Sequence, residues 1–143
     1  MNEEPVMPKH LGFILDGNRR WAKEHSIPEY DGHLAGYNAL REVIEGCFEQ
    51  GVQYVSIYAF SSENWKRDKN EVSGLMKLAL QAISKDLKSL IRQNIRVRIL
   101  GRRSGISSKL LAGFEKAEEA TRTLSGGTLA VCFNYVGQQE IAD

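Results

Sequence analysis

The sequence contains few of the residues that build cross-linked, charged or membrane-embedded proteins. It has two cysteines, Cys47 and Cys132, and neither belongs to a C-x-x-C pair. This excludes the usual disulfide and zinc frameworks and is typical of a reducing compartment, so we predict a cytoplasmic protein. No apolar run approaches the ~20 residues that span a bilayer. The first nine residues also lack the apolar core of a signal peptide.

The charge balance is close to neutral, with a formal net charge of +1. Such a balance does not indicate bulk electrostatic binding to nucleic acid or to an acidic membrane. The 143 residues are 42% hydrophobic and 26% charged, which is ordinary for one globular domain. We predict a flexible N-terminal arm over residues 1–9 and a folded domain over residues 10–143.

Strand and helix patterns alternate along the chain. Apolar or β-branched runs predict strands at residues 10–15, 52–60, 95–100 and 128–133. Helical periodicity predicts helices at residues 19–25, 32–50, 71–93 and 107–124, with the start of another at Gly137. This alternation is typical of an α/β fold with a mostly parallel central sheet and helices on both faces. Because the sequence ends within its last predicted helix, we expect an apparently truncated chain that forms the N-terminal part of a single larger domain.

The segment after the first strand contains an unusual combination of residues. The apolar run 11–15 stops at Asp16-Gly17-Asn18, and Arg19 and Arg20 open a helix immediately afterwards. Ligands of parallel sheets lie beyond the carboxyl ends of the strands, and a helix N-terminus attracts anions. Arginine forks fit phosphate oxygens, and a carboxylate such as that of Asp16 can hold Mg²⁺ together with substrate phosphates. The segment therefore predicts a site for a magnesium-bound phosphate or diphosphate.

A second polar loop follows the second predicted strand at the same edge of the sheet. It supplies two hydroxyls, an amide, an indole and a guanidinium from Ser61, Ser62, Asn64, Trp65 and Arg67. The predicted helix at Gly32 offers a second N-terminus, where His33 could donate to a phosphate oxygen.

Each of these features also has a purely structural interpretation. Asp16-Gly17 can be a turn, Arg19 and Arg20 solvated charges, and His33 a helix-cap contact. The apolar stripe of the helix at 71–93 can be core, or it can line a channel for a hydrocarbon. From the residues alone, the sequence predicts an α/β protein that binds a phosphorylated ligand with Mg²⁺.

Longer segments carry a specific resemblance. The sequence resembles the cis-prenyltransferases, the undecaprenyl diphosphate synthase family. The matching segments are HLGFILDGNRRWA from His10, GHLAG from Gly32, YAFSSENWKR from Tyr58, EV at Glu71, RVRILG from Arg96 and NY at Asn134. They follow the family order over nearly the whole chain.

The resemblance implies a homodimeric, Mg²⁺-dependent enzyme that condenses isopentenyl diphosphate onto an allylic diphosphate such as farnesyl diphosphate with cis geometry. The net charge of +1 indicates no nucleic-acid partner. Peripheral membrane contact through the lipid product is compatible with the resemblance. Asp16, which would also hold the metal, and Asn64 would be catalytic. The implied substrate-binding residues are Gly17, Asn18, Arg19, Arg20, Trp21, His33, Ser61, Ser62, Glu63, Trp65 and Arg67. The helices at 32–50 and 71–93 would wall a tunnel for the growing chain.

Some family features are different here. Family members often carry an arginine where this chain has Glu29, and the Arg-Thr-Gly-Gly-Glu-like block of the isopentenyl diphosphate site is not among these 143 residues. A rival interpretation is a non-catalytic subunit that binds prenyl diphosphate or a partner chain, although such a subunit need not keep the cluster at 16–20. A nucleotide-binding module is a weaker alternative, because neither G-x-G-x-x-G nor G-x-x-x-x-G-K-[ST] occurs.

Overall fold

Four strands alternate with helices in the computed structural model, which describes residues 3–143. The strands are β1 (His10–Ile14), β2 (Tyr54–Ser61), β3 (Ile95–Leu100) and β4 (Gly127–Tyr135). The helices are α1 (Asn18–Glu24), α2 (Glu29–Glu49), α3 (Lys69–Arg92), α4 (Ser108–Thr121) and α5 (Gly137–Ala142), and a short 3-10 helix, Ser62–Lys66, follows β2. The first two residues of the predicted flexible arm lie outside the described residues, and residues 3–8 form no helix or strand.

All strand pairs are parallel, as the alternating pattern predicts, and the strand order is β1-β2-β4-β3. The last strand in the sequence is therefore inserted between the second and the third. In the register, Val55 lies opposite Leu129 on β4, and Leu129 in turn lies opposite Val97 on β3. The alternate residues of every strand consequently line up across the whole sheet.

One face of the sheet, the first face, carries most of the core. It presents Leu11, Val55, Ile57, Val97 and Leu129, which are buried or half-buried. The apolar stripes of α2, α3 and α4 pack against these side chains and form two adjoining core clusters. Burying such stripes against a sheet is the main stabilising contribution in a fold of this kind.

The opposite, second face is covered much less. Ile14 is 81% exposed and Tyr54 is 51% exposed on this face. Among residues 3–143, the helix beside this second face is α5, where the Tyr135 hydroxyl donates to Glu140. The pKa of the Cys132 thiol on the same face is raised by burial and, to a smaller degree, by the Glu140 carboxylate. Helices thus stand on both sides of the sheet, but the three long ones share one side. Within the described range, none of the helices combines the length and apolarity needed to cross a membrane.

Side chains of α4 occupy the outer edge of β3. The Val97 N–H donates to Thr121 Oγ1 at 2.9 Å, and the Ile99 N–H donates to Glu118 Oε2 at 3.3 Å. The buried Thr121 hydroxyl in turn donates to the Ala117 carbonyl at 2.8 Å. These bonds pair backbone groups that an edge strand otherwise leaves open to another strand.

The pairing between β2 and β4 becomes irregular at the carboxyl edge. Tyr58 pairs with Cys132, but the next pairs along the ladder are Phe60 with Phe133 and Ser61 with Tyr135. Asn134 is thereby left out of the regular register and has a φ of 52°. A bulge of this kind re-aims a side chain, and bulges are common beside functional sites.

Candidate functional site

Two loops lie side by side at the carboxyl edge of the sheet, because β1 and β2 are neighbours and Ile14 pairs with Tyr58. The segment after β1 contributes Asp16 and, from the first turn of α1, Arg20. The segment after β2 contributes Asn64, from the 3-10 helix, and Arg67. Residues of both loops line one cavity. The structure therefore brings the two polar segments together, as the parallel sheet predicts.

Asp16 lies at the mouth of this cavity. Gly17 follows it with a φ of 86°, a conformation that favours glycine, and turns the chain into α1. The Asp16 carboxylate is 3.7 Å from the Arg20 guanidinium one helical turn later, and both side chains are largely exposed at 80% and 78%. An exposed carboxylate paired only at this distance is available to a cation.

Close packing between α1 and α2 explains the two glycines of the GHLAG segment. A Cβ at Gly32 would lie 2.4 Å from the Asn18 carbonyl oxygen and 2.7 Å from Ala22 Cβ. A Cβ at Gly36 would lie 2.3 Å from Asn18 Oδ1. Asn18 lines the cavity, but its amide also rests against α2. Helix-to-helix contact therefore limits what this side chain can present to a ligand.

The beginning of α2 differs from the prediction. The helix starts at Glu29, directly after Pro28, and the Gly32 N–H already donates to the Pro28 carbonyl at 3.3 Å. The prediction of a helix N-terminus at Gly32 was wrong, because the proline that suggested a loop acts as the helix cap. His33 consequently lies in the second turn, where its Nε2 atom is buried without a hydrogen-bond partner in the part of the chain that the structure describes.

A nearly buried carboxylate, Glu71, lies among the basic side chains of the site. Its side chain is 5% exposed, and Oε1 lies 3.0 Å from Arg67 Nη1, 3.4 Å from His33 Nε2 and 3.7 Å from Arg19 Nε. Glu29 lies 3.6 Å from Arg19 on the outer side of this group. The sequence interpretation gave Glu71 no role, although its position four residues after Arg67 on a predicted helix start was a usable signal.

The loop after β2 is held by bonds within itself and to β4. The Ser61 N–H donates to Asn64 Oδ1 at 3.0 Å. The Trp65 indole packs edge-on against Phe60, with ring centroids 5.0 Å apart, and its N–H donates to Asn134 Oδ1 at 2.8 Å. The loop is therefore ordered by the sheet beneath it.

The predicted site residues divide into two groups by position. Those that line the cavity are Asp16, Gly17, Asn18, Arg19, Arg20, His33, Ser61, Asn64 and Arg67. Four others lie beside it. Trp21 stacks on His25 with ring centroids 4.1 Å apart, and Glu63 is exposed. Ser62 and Trp65 are bonded to Asn134.

Below its polar mouth the cavity is mostly apolar. Its volume is about 1310 Å³, and it lies between α2, α3 and the first face of the sheet. Its walls include Leu40, Ile44, Ile57, Leu75, Leu78, Ala79, Ala82, Ile83, Leu87, Leu90, Val131 and Phe133. A space of this composition removes hydrocarbon from water at little polar cost.

One polar cluster joins α2 to α3 across the cavity. The Tyr37 hydroxyl donates to the Asp86 carboxylate, and Arg41 lies 3.5 Å from the same carboxylate and 5.7 Å from the centre of the Tyr37 ring. Burial, followed by the hydrogen bond and the charge of Asp86, raises the pKa of Tyr37. The cluster fixes the spacing of the two helices deep in the cavity.

The fold and the site together define a class: a parallel α/β protein whose polar edge, with carboxylates and guanidinium groups, opens directly into an apolar cavity. The family model described as "Putative undecaprenyl diphosphate synthase" matches residues 14–143. The chain belongs to this prenyltransferase family.

Individual relatives agree with this assignment. The chain is 42% identical to an isoprenyl transferase of Thermotoga maritima, over 96% of this chain and 59% of the relative. It is 44% identical to the (2E,6E)-farnesyl-diphosphate-specific ditrans,polycis-undecaprenyl-diphosphate synthase of Pseudomonas aeruginosa, over 97% of this chain and 55% of the relative. The chain thus spans between half and two thirds of the length of these two relatives.

Solved structures show the same fold. Lavandulyl diphosphate synthase from Lavandula x intermedia, in complex with dimethylallyl diphosphate, superposes with a TM-score of 0.92 at 28% identity, over 95% of this chain and 58% of that one. A probable undecaprenyl diphosphate synthase from Campylobacter jejuni gives a TM-score of 0.76 at 27% identity, over 99% and 60% of the two chains. The predicted cis-prenyltransferase fold is confirmed.

Proposed function

We propose that this chain provides the allylic diphosphate site of a cis-prenyltransferase, which condenses isopentenyl diphosphate onto an allylic diphosphate such as farnesyl diphosphate to give a polyprenyl diphosphate. One observation carries the proposal: the charged rim at the carboxyl edge is continuous with the apolar cavity. A ligand that fills both parts has an anionic head and a hydrocarbon tail. The names of the relatives support the same reaction class.

The proposed roles follow from position. Arg20, Arg67 and His33 bind the diphosphate oxygens, together with backbone groups at the start of α1. The two guanidinium groups stabilise negative charge on the diphosphate as its bond to the allylic carbon breaks. Asn64, at the cavity mouth, orients the reacting end of the substrate.

Magnesium fits this arrangement through Asp16. Among residues 3–143 there is no group of three or more His, Cys, Asp or Glu side chains that could hold a metal alone. Mg²⁺ is, however, commonly bound by one or two carboxylates together with substrate phosphates, and the exposed Asp16 carboxylate at the cavity mouth meets that requirement. The chemistry that the bound cation supplies is neutralisation of charge on the departing diphosphate.

The finer properties of the whole protein belong to the same proposal. We propose a homodimer without a nucleic-acid partner, located in the cytoplasm and in peripheral membrane contact through its lipid product. The two free cysteines and the net charge of +1 agree with this. Sedimentation of the purified chain, with and without vesicles, tests the dimer and the membrane contact.

Calorimetric titration tests the ligand. We expect farnesyl diphosphate with Mg²⁺ to bind more tightly than inorganic diphosphate or farnesol, because only the first ligand fills both the rim and the cavity. Asp16→Ala should abolish the Mg²⁺-dependent part of the affinity, whereas Glu115→Ala, at an exposed position on α4, should change nothing. Equal affinities for farnesyl and inorganic diphosphate would sink the proposal.

Radiolabelled isopentenyl diphosphate tests the reaction. We expect weak or no incorporation from these 143 residues alone, because the Arg-Thr-Gly-Gly-Glu-like block of the isopentenyl site is not among them. A longer polypeptide that contains both this chain and that block should elongate farnesyl diphosphate and lose the activity with Asp16→Ala. Unchanged turnover in that variant would favour a chemistry-free role for the 16–20 cluster.

A further inference from the structure

Asn134 connects two loops at the carboxyl edge through one side chain. Its Oδ1 atom accepts from the Trp65 indole N–H at 2.8 Å and from the Ser62 hydroxyl at 3.3 Å. Its Nδ2 atom donates to the carbonyls of Arg102 at 2.8 Å and Ser104 at 3.1 Å. The residue is 5% exposed, and these four bonds use two acceptor positions and both amide protons.

The amide can face only one way. The Trp65 indole nitrogen is a donor and the two carbonyls are acceptors, so the oxygen must point to the loop after β2 and the nitrogen to the loop after β3. Asparagine is thus the residue that satisfies both loops at once. Aspartate would set an oxygen against the two carbonyls, and serine would reach only one side.

The backbone prepares this position. Asn134 stands at the bulge of β4 with a φ of 52°, which asparagine adopts more readily than most residues. The loop after β3 approaches closely because Gly101 has no side chain: a Cβ there would lie 1.9 Å from the Phe133 carbonyl oxygen. The Arg102 N–H then donates to the Asn134 carbonyl at 3.1 Å.

We propose that Asn134 is a positioning residue that fixes Trp65 and thereby holds the loop carrying Ser61, Asn64 and Arg67 over the cavity mouth. Asn134 does not itself line the cavity, so it acts through the loop. The inference rests on the proposed function, in which that loop binds the allylic diphosphate.

A double-mutant cycle separates positioning from general support of the fold. Trp65→Phe keeps an aromatic ring against Phe60 but removes the indole donor, and Asn134→Ser removes the acceptor. We expect each change to weaken farnesyl diphosphate binding about fivefold to tenfold by calorimetry, and the double variant to bind no more weakly than the weaker single variant. Additive losses would overturn the proposal, because they would mean that the two residues act separately.

A spectroscopic measurement needs no ligand. The chain has two tryptophans, so a proton–nitrogen NMR spectrum contains two indole N–H signals, and the loss of one in Trp65→Phe assigns them. Asn134→Ser should shift the Trp65 signal and speed its exchange with water while leaving the Trp21 signal in place. An unmoved Trp65 signal would overturn the proposal even if ligand affinity falls.

Two controls keep the test decisive. Asn38→Ser, at an exposed position on α2, should alter neither measurement. Ser62→Ala combined with Trp65→Phe removes the same two bonds without touching Asn134, so it decides the question if Asn134→Ser does not fold; unchanged affinity in that variant would refute the proposal. If the wild-type chain binds no farnesyl diphosphate, the proposed function fails, while the NMR comparison still decides whether Asn134 positions Trp65.

Discussion

Glu71 and Arg67 form the closest ion pair of the site, with Oε1 and Nη1 3.0 Å apart and the carboxylate only 5% exposed. The pair fastens the start of α3 to the loop after β2. Arg19 and His33 approach the same oxygen. In the ligand-free chain, the Glu71 carboxylate therefore interacts with several of the donors that we propose bind the diphosphate.

Replacing that carboxylate should destabilise the ligand-free chain. Glu71→Ala leaves Arg67 and Arg19 near each other without a buried counter-charge, and we expect a loss of about 1–3 kcal/mol in the free energy of unfolding, below the value for a fully buried pair because the arginines are partly exposed. Urea denaturation measures this. Added inorganic diphosphate should restore more stability to the variant than to the wild type. Glu119→Ala, which breaks an exposed pair with Arg122, is the control.

Gly32 should tolerate no side chain. A Cβ would lie 2.4 Å from a backbone oxygen of α1, so Gly32→Ala must displace α1 and should cost about 1–3 kcal/mol of stability. Gly46→Ala, in the same helix with nothing within 4 Å of the added Cβ, should instead stabilise the chain by about 0.5–1 kcal/mol. Thermal unfolding of the two variants compares them directly, and equal stabilities would show that the helices are not in close contact.

A larger side chain inside the cavity should weaken the binding of ligands with a hydrocarbon tail but not the binding of diphosphate alone. Ala82 lines the cavity from α3, so Ala82→Phe should weaken farnesyl diphosphate binding at least about tenfold, the equivalent of about 1.4 kcal/mol, while inorganic diphosphate binds as before. Ala120→Phe makes the same change at an exposed position on α4 and should alter neither affinity. Equal weakening of both ligands would indicate damage to the rim instead.

Alkaline stability should depend on Tyr37. Its pKa is raised above the ordinary value of 10.0, mainly by burial and further by Asp86. Above pH 10 the unfolded chain therefore binds fewer protons than the folded chain, so the free energy of unfolding falls as pH rises. In urea titrations from about pH 9 to about pH 11, Tyr37→Phe should flatten this fall. Asp86→Asn leaves Tyr37 buried and should therefore retain part of the pH dependence. A slope identical in wild type and Tyr37→Phe would be inconsistent with an un-ionised, buried phenol.

Local patterns predicted the elements well where the signal was unambiguous. The β-branched run Ile95–Leu100 is a strand with the predicted bounds, and the parallel arrangement followed from strand–helix alternation. The predicted start of α2 was wrong because proline is common both in loops and at the beginning of helices, so Pro28 fits either. Single-sequence patterns also contain no information on strand order, so the insertion of β4 between its neighbours needed the structure.

The sequence predicted the loop residues of the site better than the residues that hold those loops in place. Asp16 is recognisable because it follows an apolar strand closely, and Arg67 because it ends the polar segment after the next strand. Glu71 had only the weak signal of its spacing from Arg67, and Asn134 had none from spacing. Their importance comes from tertiary contacts: a carboxylate packed beside two arginines and an amide placed by a bulge. Trp21, which the resemblance placed among the substrate-binding residues, stacks on His25 outside the cavity lining.

The strand order has a kinetic consequence. β2 and β3 have no contact in the sheet until β4 pairs with both, and β4 leaves the ribosome after the other three strands. A nascent chain that ends before residue 127 therefore carries the Asp16 loop and the long helices but no continuous floor beneath them and no Asn134 to hold Trp65. Pairing between strands that are far apart in the sequence is slow, and the apolar stripes of α2 and α3 remain exposed until β4 has paired with β2 and β3. Until β4 docks, we expect these exposed stripes to be the surface that a chaperone would bind.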